Sequence, residues 1–433
     1  MNIPHRDLPR IVVIGCGFAG LKFVKNINTK FYQVVLFDKN NYHTFQPLMY
    51  QVASSGLEPD SIVYPIRKVF KQKKNFHYRM AEVHSVDTDH KMVYTSVGEL
   101  DYDYLIMATG AVTNFFGLKN IEQYSMPMKT VVEALNLRSV VLQSFENAIN
   151  ADDIQERDAW MNFVIVGGGA TGVELAGALA ELKRYILPKD YPDLDIRRMQ
   201  IHVVQAADRL LPSMSEKSSA DAEQFLKKLD VNVWLNIRAQ DYDGSVVYTD
   251  KETFQAKTLI WTAGVKGASS LGIDAQKAGG NRIITNDKFQ IKGFEDVFAL
   301  GDVAAVLSEQ QPQGYPMLAS VAVQQGVHLS KNFNLQAQKK DTKPFVYKDR
   351  GAMATVGRNL AVVDTDKVKF GGFLAWIAWM VVHLMLLVDF RSRLIVFVNW
   401  AWSYVFYDKG TRLIIRKVKI KEEPTPIKED APL

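Results

Sequence analysis

Two glycine-rich turns hold most of the chemistry this chain could perform. The first places Gly15, Gly17 and Gly20 in "RIVVIGCGFAGLKFVKNI", after an apolar run and before a helical one. The second places Gly167, Gly169 and Gly172 in "MNFVIVGGGATGVELAG" with the same spacing. Glycines so spaced let backbone N–H groups approach a pyrophosphate at the positive end of a helix. Asp38 closes the next predicted strand, "QVVLFD", where a dinucleotide-binding βαβ unit offers a carboxylate to a ribose hydroxyl. The second copy closes its corresponding strand, "QIHVVQ", in Gln205, a neutral amide. Glu174 follows the second turn, in what the pattern predicts as the opening of its helix. An acid there competes with phosphate for the helix dipole, steadies the helix, or serves a reaction.

The elements that must position these residues are legible in order. Between the copies, "LDYDYLIMATGA" predicts a buried strand ending in the small-residue turn Ala108, Thr109 and Gly110. After the second copy, "KTLIWTAGV" ends at Gly264, and "FEDVFALGDVA" predicts another apolar strand ending at Gly301 and Asp302. This order is expected when one α/β domain is interrupted by another, so the fold class is α/β with two Rossmann-like domains; the two turns imply two dinucleotides in one chain, or one working site and one relic, and the intact glycine spacing in both favours two working sites.

Composition limits the alternatives. With 433 residues, 47% apolar and 23% charged, the chain folds into two or three domains. One cysteine, Cys16, excludes an internal disulfide and any CxxC redox pair. Its place inside the first turn reads as packing of a small side chain. Eight histidines and that cysteine form no ligand-spaced set, so no metal is expected. The polar start "MNIPHRDLPR" carries no secretory signal, and the bulk of the protein is expected in the cytoplasm. The net charge is only +5, but Lys409, Arg412, Arg416, Lys417, Lys419 and Lys421 cluster after an apolar segment. That position favours an anionic membrane surface over nucleic acid.

The apolar segment has two parts, "FGGFLAWIAWMVVHLMLLV" (370–388) and "LIVFVNWAWSYVFY" (394–407). Gly371 and Gly372 weaken the start of the first, and both parts fall short of the roughly 20 apolar residues a spanning helix needs. Trp376, Trp379, Trp400 and Trp402 beside Arg and Lys fit an interfacial anchor. A buried hairpin, a dimer contact and a spanning hairpin are the other readings. His383, inside the first part, reads as a packed core histidine.

Several segments together resemble the type II NADH dehydrogenases, single-subunit, non-proton-pumping NADH:quinone oxidoreductases of the two-dinucleotide flavoprotein superfamily. They are "NYHTFQPLMYQVA" (41–53), "MPMKTVVEALNLR" (126–138), "WTAGV", "FALGDVA", "MATVGRNLAV" and the aromatic C-terminal segment. The resemblance runs from Arg10 to about Lys417. It implies an FAD-binding domain of residues 1–125 and 280–345, an inserted NAD(P)H-binding domain of 126–279, a membrane-associating domain of 346–420 and a disordered tail of 421–433.

By the same resemblance FAD is held by Gly15, Gly17, Gly20, Asp38, Ala108, Thr109, Gly110 and Asp302. NAD(P)H is held by Gly167, Gly169, Gly172, Gln205 and Gly264. Glu174 is directed at the flavin–nicotinamide region, to contact nicotinamide or to feed a proton path. The quinone pocket falls to Gln324, Gln325, Ser320 and His383, with Gln324 and Glu174 as the catalytic pair. Two positions depart from the family pattern: Ser320 replaces a glutamine, and Gln205 stands where NADH-preferring members have Glu, so NADPH should be rejected less strongly. The implied partners are a membrane quinone and the lipid surface at the cytoplasmic face, where the protein sits peripherally, with a homodimer also allowed and no nucleic acid.

Two other functions stay open: a soluble FAD-dependent reductase of a small redox protein, and an FAD-bearing signalling or scaffold protein. The apolar C-terminal segment argues against the first, and the intact second glycine turn against the other. A sulfide:quinone oxidoreductase needs more than one cysteine.

Overall fold

The computed structural model describes residues 1–433 apart from 6, 309–310, 408–409 and 415–433. The chain forms two compact units. The first comprises Met1–Phe45, Val63–Asn114 and Val265–Arg350, the second Gln46–Ile62, Phe115–Gly264 and Gly351–Leu433. The elements that carry the argument begin with β1 (Arg10–Ile14), α1 (Phe18–Asn26), β2 (Gln33–Asp38), α2 (Met49–Ala53), β3 (Phe76–Met80) and β4 (Tyr104–Met107). The middle of the chain adds β5 (Met126–Pro127), α3 (Val131–Asn150), β6 (Asn162–Val166), α4 (Ala170–Glu181), β7 (Gln200–Gln205), α5 (Glu216–Lys228), β8 (Asn232–Leu235) and β9 (Thr258–Trp261). Then follow β10 (Val297–Ala299), α6 (Ala319–Ala337), β11 (Ala352–Thr355), β12 (Ala361–Asp364), β13 (Lys369–Gly371), α7 (Phe373–Leu386) and α8 (Phe390–Phe406).

The first unit is built on a parallel sheet of order β10-β4-β1-β2-β3. Every residue of β1 is buried, as expected of a strand covered on both faces. α1 packs along α6, which returns from the far end of the unit's sequence. The second unit repeats the plan in a parallel sheet of order β5-β9-β6-β7-β8. In each sheet the strand leading into the glycine turn is central, with Ile14 opposite Phe37 and Met107, and Val166 opposite Val204 and Trp261. The turn therefore emerges at the carboxyl end of the sheet, where ligands bind in open α/β folds.

Segments from elsewhere in the chain complete the second unit. Residues Gln46–Ile62, expected with the FAD-binding domain, pack here, because α2 buries Met49, Tyr50, Val52 and Ala53 against α3 and α4. α3 starts at a capping box, in which the Thr130 hydroxyl accepts from the Glu133 N–H and the Glu133 carboxylate accepts from the Thr130 N–H. The region after residue 350, expected as a third domain, also belongs to this unit. Its antiparallel sheet β11-β12-β13 lies against α4 and α5, and α7 lies on β12.

α7 runs over Phe373–Leu386, about 21 Å at 1.5 Å per residue. α8 starts earlier than the apolar run at 394, because the Asp389 side chain accepts from the Ser392 N–H and caps it at Phe390. Among the described residues no helix is long and apolar enough to cross a membrane. Of the basic cluster, Arg412 pairs with Asp190 at 2.6 Å. Lys409, Arg416, Lys417, Lys419, Lys421 and the expected disordered tail of 421–433 lie outside the described residues.

Candidate active site

At the first glycine turn Gly15 has φ +101°, and a Cβ on it would lie 2.4 Å from the Ala108 carbonyl oxygen. A Cβ at Gly20 would lie 2.0 Å from the Gly15 oxygen, so helix and turn meet backbone to backbone. A Cβ on Gly17 would meet nothing within 4 Å, which leaves the approach to the α1 N-terminus open. Asp38 accepts from the Cys16 N–H at 2.6 Å and the Asn40 N–H at 2.8 Å. Burial raises its pKa, and those two bonds partly offset the rise. Thr109, between Ala108 and Gly110, has a buried hydroxyl with no partner among the described residues. An open cradle, a carboxylate at the strand end and an orphan hydroxyl fit a dinucleotide such as FAD.

The flanking residues serve this turn. Asp302 lies in the single turn Gly301–Val303, which Gln325 holds by accepting from the Gly301 N–H at 2.7 Å. Cys16 is buried, and burial together with Asp38 pushes its thiol well above the usual range, so it is no nucleophile. His43 Nδ1 meets the Cys16 carbonyl at 2.8 Å, and burial lowers its pKa to about 4.

The second turn repeats the constraints. Gly167 has φ +116°, a Cβ on Gly172 would lie 1.9 Å from the Gly167 oxygen, and Gly169 is open. Gln205 differs from Asp38 in kind: its Oε1 accepts from the Gly168 N–H at 2.9 Å and its Nε2 donates to the Arg209 carbonyl at 3.4 Å. A Cβ on Gly264 would lie 2.9 Å from the Phe116 ring. These residues fit a second dinucleotide held by backbone N–H groups.

Glu174 is not in the opening turn of α4, which contains no acid. It lies one turn further in, buried, and caps nothing. Burial raises its pKa to about 8; the Thr355 N–H, 3.4 Å away, and the nearby Trp379 indole offset part of that rise. Glu174 opens on a cleft of the second unit with about 860 Å³ of free space out to its mouth. Tyr50, Gln51, Trp376, Trp379, Trp400 and Tyr404 supply most of its rings and polar tips. Trp376 stacks on Tyr404 at 5.5 Å. At the rim the Arg358 guanidinium lies 3.9 Å from the Tyr404 ring centre and 4.0 Å from that of Tyr407. α4 continues into a π-helical stretch, Leu182–Ile186, that brings Tyr185 to 4.6 Å from Tyr407.

The residues expected at a quinone pocket divide. Ser320 meets the Tyr347 hydroxyl at 2.9 Å, and Gln324 exchanges two hydrogen bonds with the Lys348 backbone at 2.9 and 3.1 Å, all within the first unit. His383 stacks on Trp379 at 4.1 Å, bonds its carbonyl at 2.8 Å, and has its pKa lowered by burial to about 4. The residue is half-buried. Tyr50 and Gln51 were not singled out by sequence, although "MYQVA" lies inside a quoted segment.

A sheet-centred glycine turn in each unit, one backed by Asp38 and the other by Gln205, defines a flavin- and pyridine-nucleotide-dependent oxidoreductase. The family model described as pyridine nucleotide-disulphide oxidoreductase matches residues 9–326, and that of the NDH2 C-terminal domain matches 350–407. A type II NADH:quinone oxidoreductase of Mycobacterium tuberculosis is 32% identical, over 94% of this chain and 89% of that protein. An internal alternative NAD(P)H-ubiquinone oxidoreductase of Arabidopsis thaliana mitochondria is 29% identical, over 92% and 85%. The fold matches NDH2 of Plasmodium falciparum, solved with NADH, with a TM-score of 0.86 at 22% identity over 94% of this chain and all of that one. The chain belongs to the type II NADH:quinone oxidoreductase family.

Proposed function

We infer that the protein passes a hydride from NADH to FAD and two electrons onward to a quinone. The observation that carries this is the match of the chain, both dinucleotide units and the C-terminal part, to that one family. Bound FAD supplies the exchange between the two substrates. The chain's residues bind and orient: Gly15, Gly17 and Gly20 take the FAD pyrophosphate, Asp38 its ribose, and the Ala108–Gly110 turn and Asp302 the remainder. Gly167, Gly169 and Gly172 take the NADH pyrophosphate, with Gln205 at the adenosine ribose and Gly264 beside the nicotinamide end.

The quinone head enters the aromatic cleft of the second unit. Glu174, protonated at pH 7 because its pKa is about 8, holds the proton that quinone reduction consumes. Gln325 supports the Asp302 turn, and Ser320 and Gln324 brace the segment around Tyr347 and Lys348.

The protein lies on a membrane surface through α7 and α8, whose Leu374, Phe390 and Val405 are 71%, 77% and 65% exposed. Aromatic rings on the same hairpin support an interfacial position, and a lipid surface rather than a second copy is the occupant assigned to that face. NADH as substrate puts this on the cytoplasmic face. Purified holoenzyme should oxidise NADH with a long-chain quinone and float with anionic vesicles. Leu374→Glu/Phe390→Glu should abolish flotation and keep activity with soluble acceptors. Reduction of the flavin by NADH with no quinone able to reoxidise it would sink the reading.

A further inference from the structure

The cleft of the second unit contains a hydroxyl whose hydrogen has no protein acceptor. Tyr50 is buried on α2, its ring edge-on to Trp379 at 6.4 Å. Its oxygen accepts from Gln51 Nε2 at 2.8 Å, and its O–H donates to nothing among the described residues. The orientation of Gln51 is forced. Trp400 Nε1 donates to Gln51 Oε1 at 2.8 Å, and an indole N–H can only donate. The oxygen end of the amide must therefore face Trp400 and the NH₂ end must face Tyr50. With one lone pair taken by that NH₂ group, the Tyr50 hydrogen is steered away from Gln51, and the space left is the cleft shared with Glu174.

We propose that Tyr50 is a catalytic residue of quinone reduction: its O–H bonds the quinone oxygen and passes to it the proton held by Glu174, with Gln51 as the positioning residue. This rests on the reading that the quinone head occupies this cleft. The overall reaction is NADH + H⁺ + quinone → NAD⁺ + quinol. Both electrons leave NADH with the hydride, and only the separate proton needs a route through the protein. As the Tyr50 proton moves to the quinone oxygen, the Glu174 carboxyl gives its proton to the Tyr50 oxygen, and Glu174 is later reprotonated from water. No further oxidant or reductant enters.

The amide's role gives a stringent variant. Gln51→Glu keeps an acceptor for Trp400 but presents a second acceptor to Tyr50, which turns the phenol hydrogen away from the cleft at constant side-chain size. The experiment compares flavin-loaded wild type, Tyr50→Phe, Gln51→Glu and Ser403→Trp, the last filling the cleft. Each is assayed with ferricyanide, which accepts electrons without protons, and with a short-chain quinone in H₂O and D₂O. Quinone binding is followed by quenching of the cleft tryptophans.

Tyr50→Phe and Gln51→Glu should each lower kcat for quinone by roughly tenfold or more and change the solvent isotope effect, with ferricyanide rates within about twofold of wild type. Ser403→Trp should abolish both quinone reduction and quenching. If Ser403→Trp abolishes quinone reduction while Tyr50→Phe keeps it within about twofold, the relay is wrong and the cleft stands. Equal loss with both acceptors in Tyr50→Phe assigns the residue a structural role and also overturns the relay. Unchanged quinone reduction in Ser403→Trp removes the cleft reading and the proposal with it.

Discussion

The two glycine turns share their backbone constraints and differ in what stands around them. In the first unit the strand-end residue is Asp38, a carboxylate held by two backbone N–H groups; in the second it is Gln205, which accepts one N–H and donates to a carbonyl. Two positions after the third glycine, the first unit has Lys22, half-buried, and the second has Glu174, buried at the wall of the cleft. Backbone geometry is thus shared by the two turns, and the side chains around them differ. The first unit has a carboxylate at its strand end, while the second places an acid beside a cleft.

The largest effects should come from the shared part of this comparison. Gly20→Ala drives a Cβ into the Gly15 carbonyl and should yield protein without flavin. Gly172→Ala makes the same clash with Gly167 and should leave flavin bound while NADH oxidation falls on the order of 100-fold. Flavin absorbance and stopped-flow reduction by NADH would separate the two, and loss of flavin from both would break the assignment of one dinucleotide to each unit.

Next comes the acid that only the second unit has. Glu174→Gln should slow quinone-linked turnover by about 10- to 100-fold, with flavin content unchanged. A stability effect accompanies it. Folding raises this carboxyl from the ordinary range to about 8, so the folded protein keeps a proton that the unfolded chain releases. The associated stability is complete below the ordinary carboxylate pKa and is lost as pH rises toward 8, by at most about 1.4 kcal/mol per unit. Denaturant titrations between pH 5 and 8 should show this slope in wild type and a flatter one in Glu174→Gln.

A smaller change is expected at the strand end. Gln205→Glu places a carboxylate where a 2′-phosphate would approach and should raise the NADH over NADPH ratio of kcat/KM roughly tenfold. An unchanged ratio would show that the amide does not face the ribose. Least of all, Cys16→Ala should leave turnover intact, since the thiol is buried and its backbone N–H, which Asp38 uses, is retained.

Much of the site was legible because glycine spacing and strand-end residues are local signals. Gly15, Gly20, Gly167 and Gly172 make contacts that no side chain would allow, and Asp38 sits where the βαβ pattern puts it. Glu174 was legible as a residue but not as a buried one, since its depth depends on Thr355 and Trp379 arriving from the end of the chain. The same holds for α2, whose apolar face gives no hint of which helices it will pack against. Gln324 and Gln325 were expected at a substrate; the Gln324 amide exchanges two hydrogen bonds with the Lys348 backbone, and Gln325 Oε1 accepts from the Gly301 N–H. An amide's partners follow from tertiary neighbours, which composition and period do not encode.

The second unit draws on Gln46–Ile62, Phe115–Gly264 and Gly351–Leu433. On the ribosome, α2 emerges long before α8, so the bond between Gln51 and Trp400 closes a loop spanning most of the chain. Contacts of such sequence separation form late and slow folding. Nascent chains should therefore expose the faces of α2 and α4 that line the cleft with Trp379 until synthesis is nearly finished. Deleting α7 and α8 would leave Tyr50 and Glu174 without Trp379, a fully buried ring. Removal of the hairpin would disturb maturation as well as the proposed membrane attachment, which makes substitutions on its exposed face the cleaner instrument.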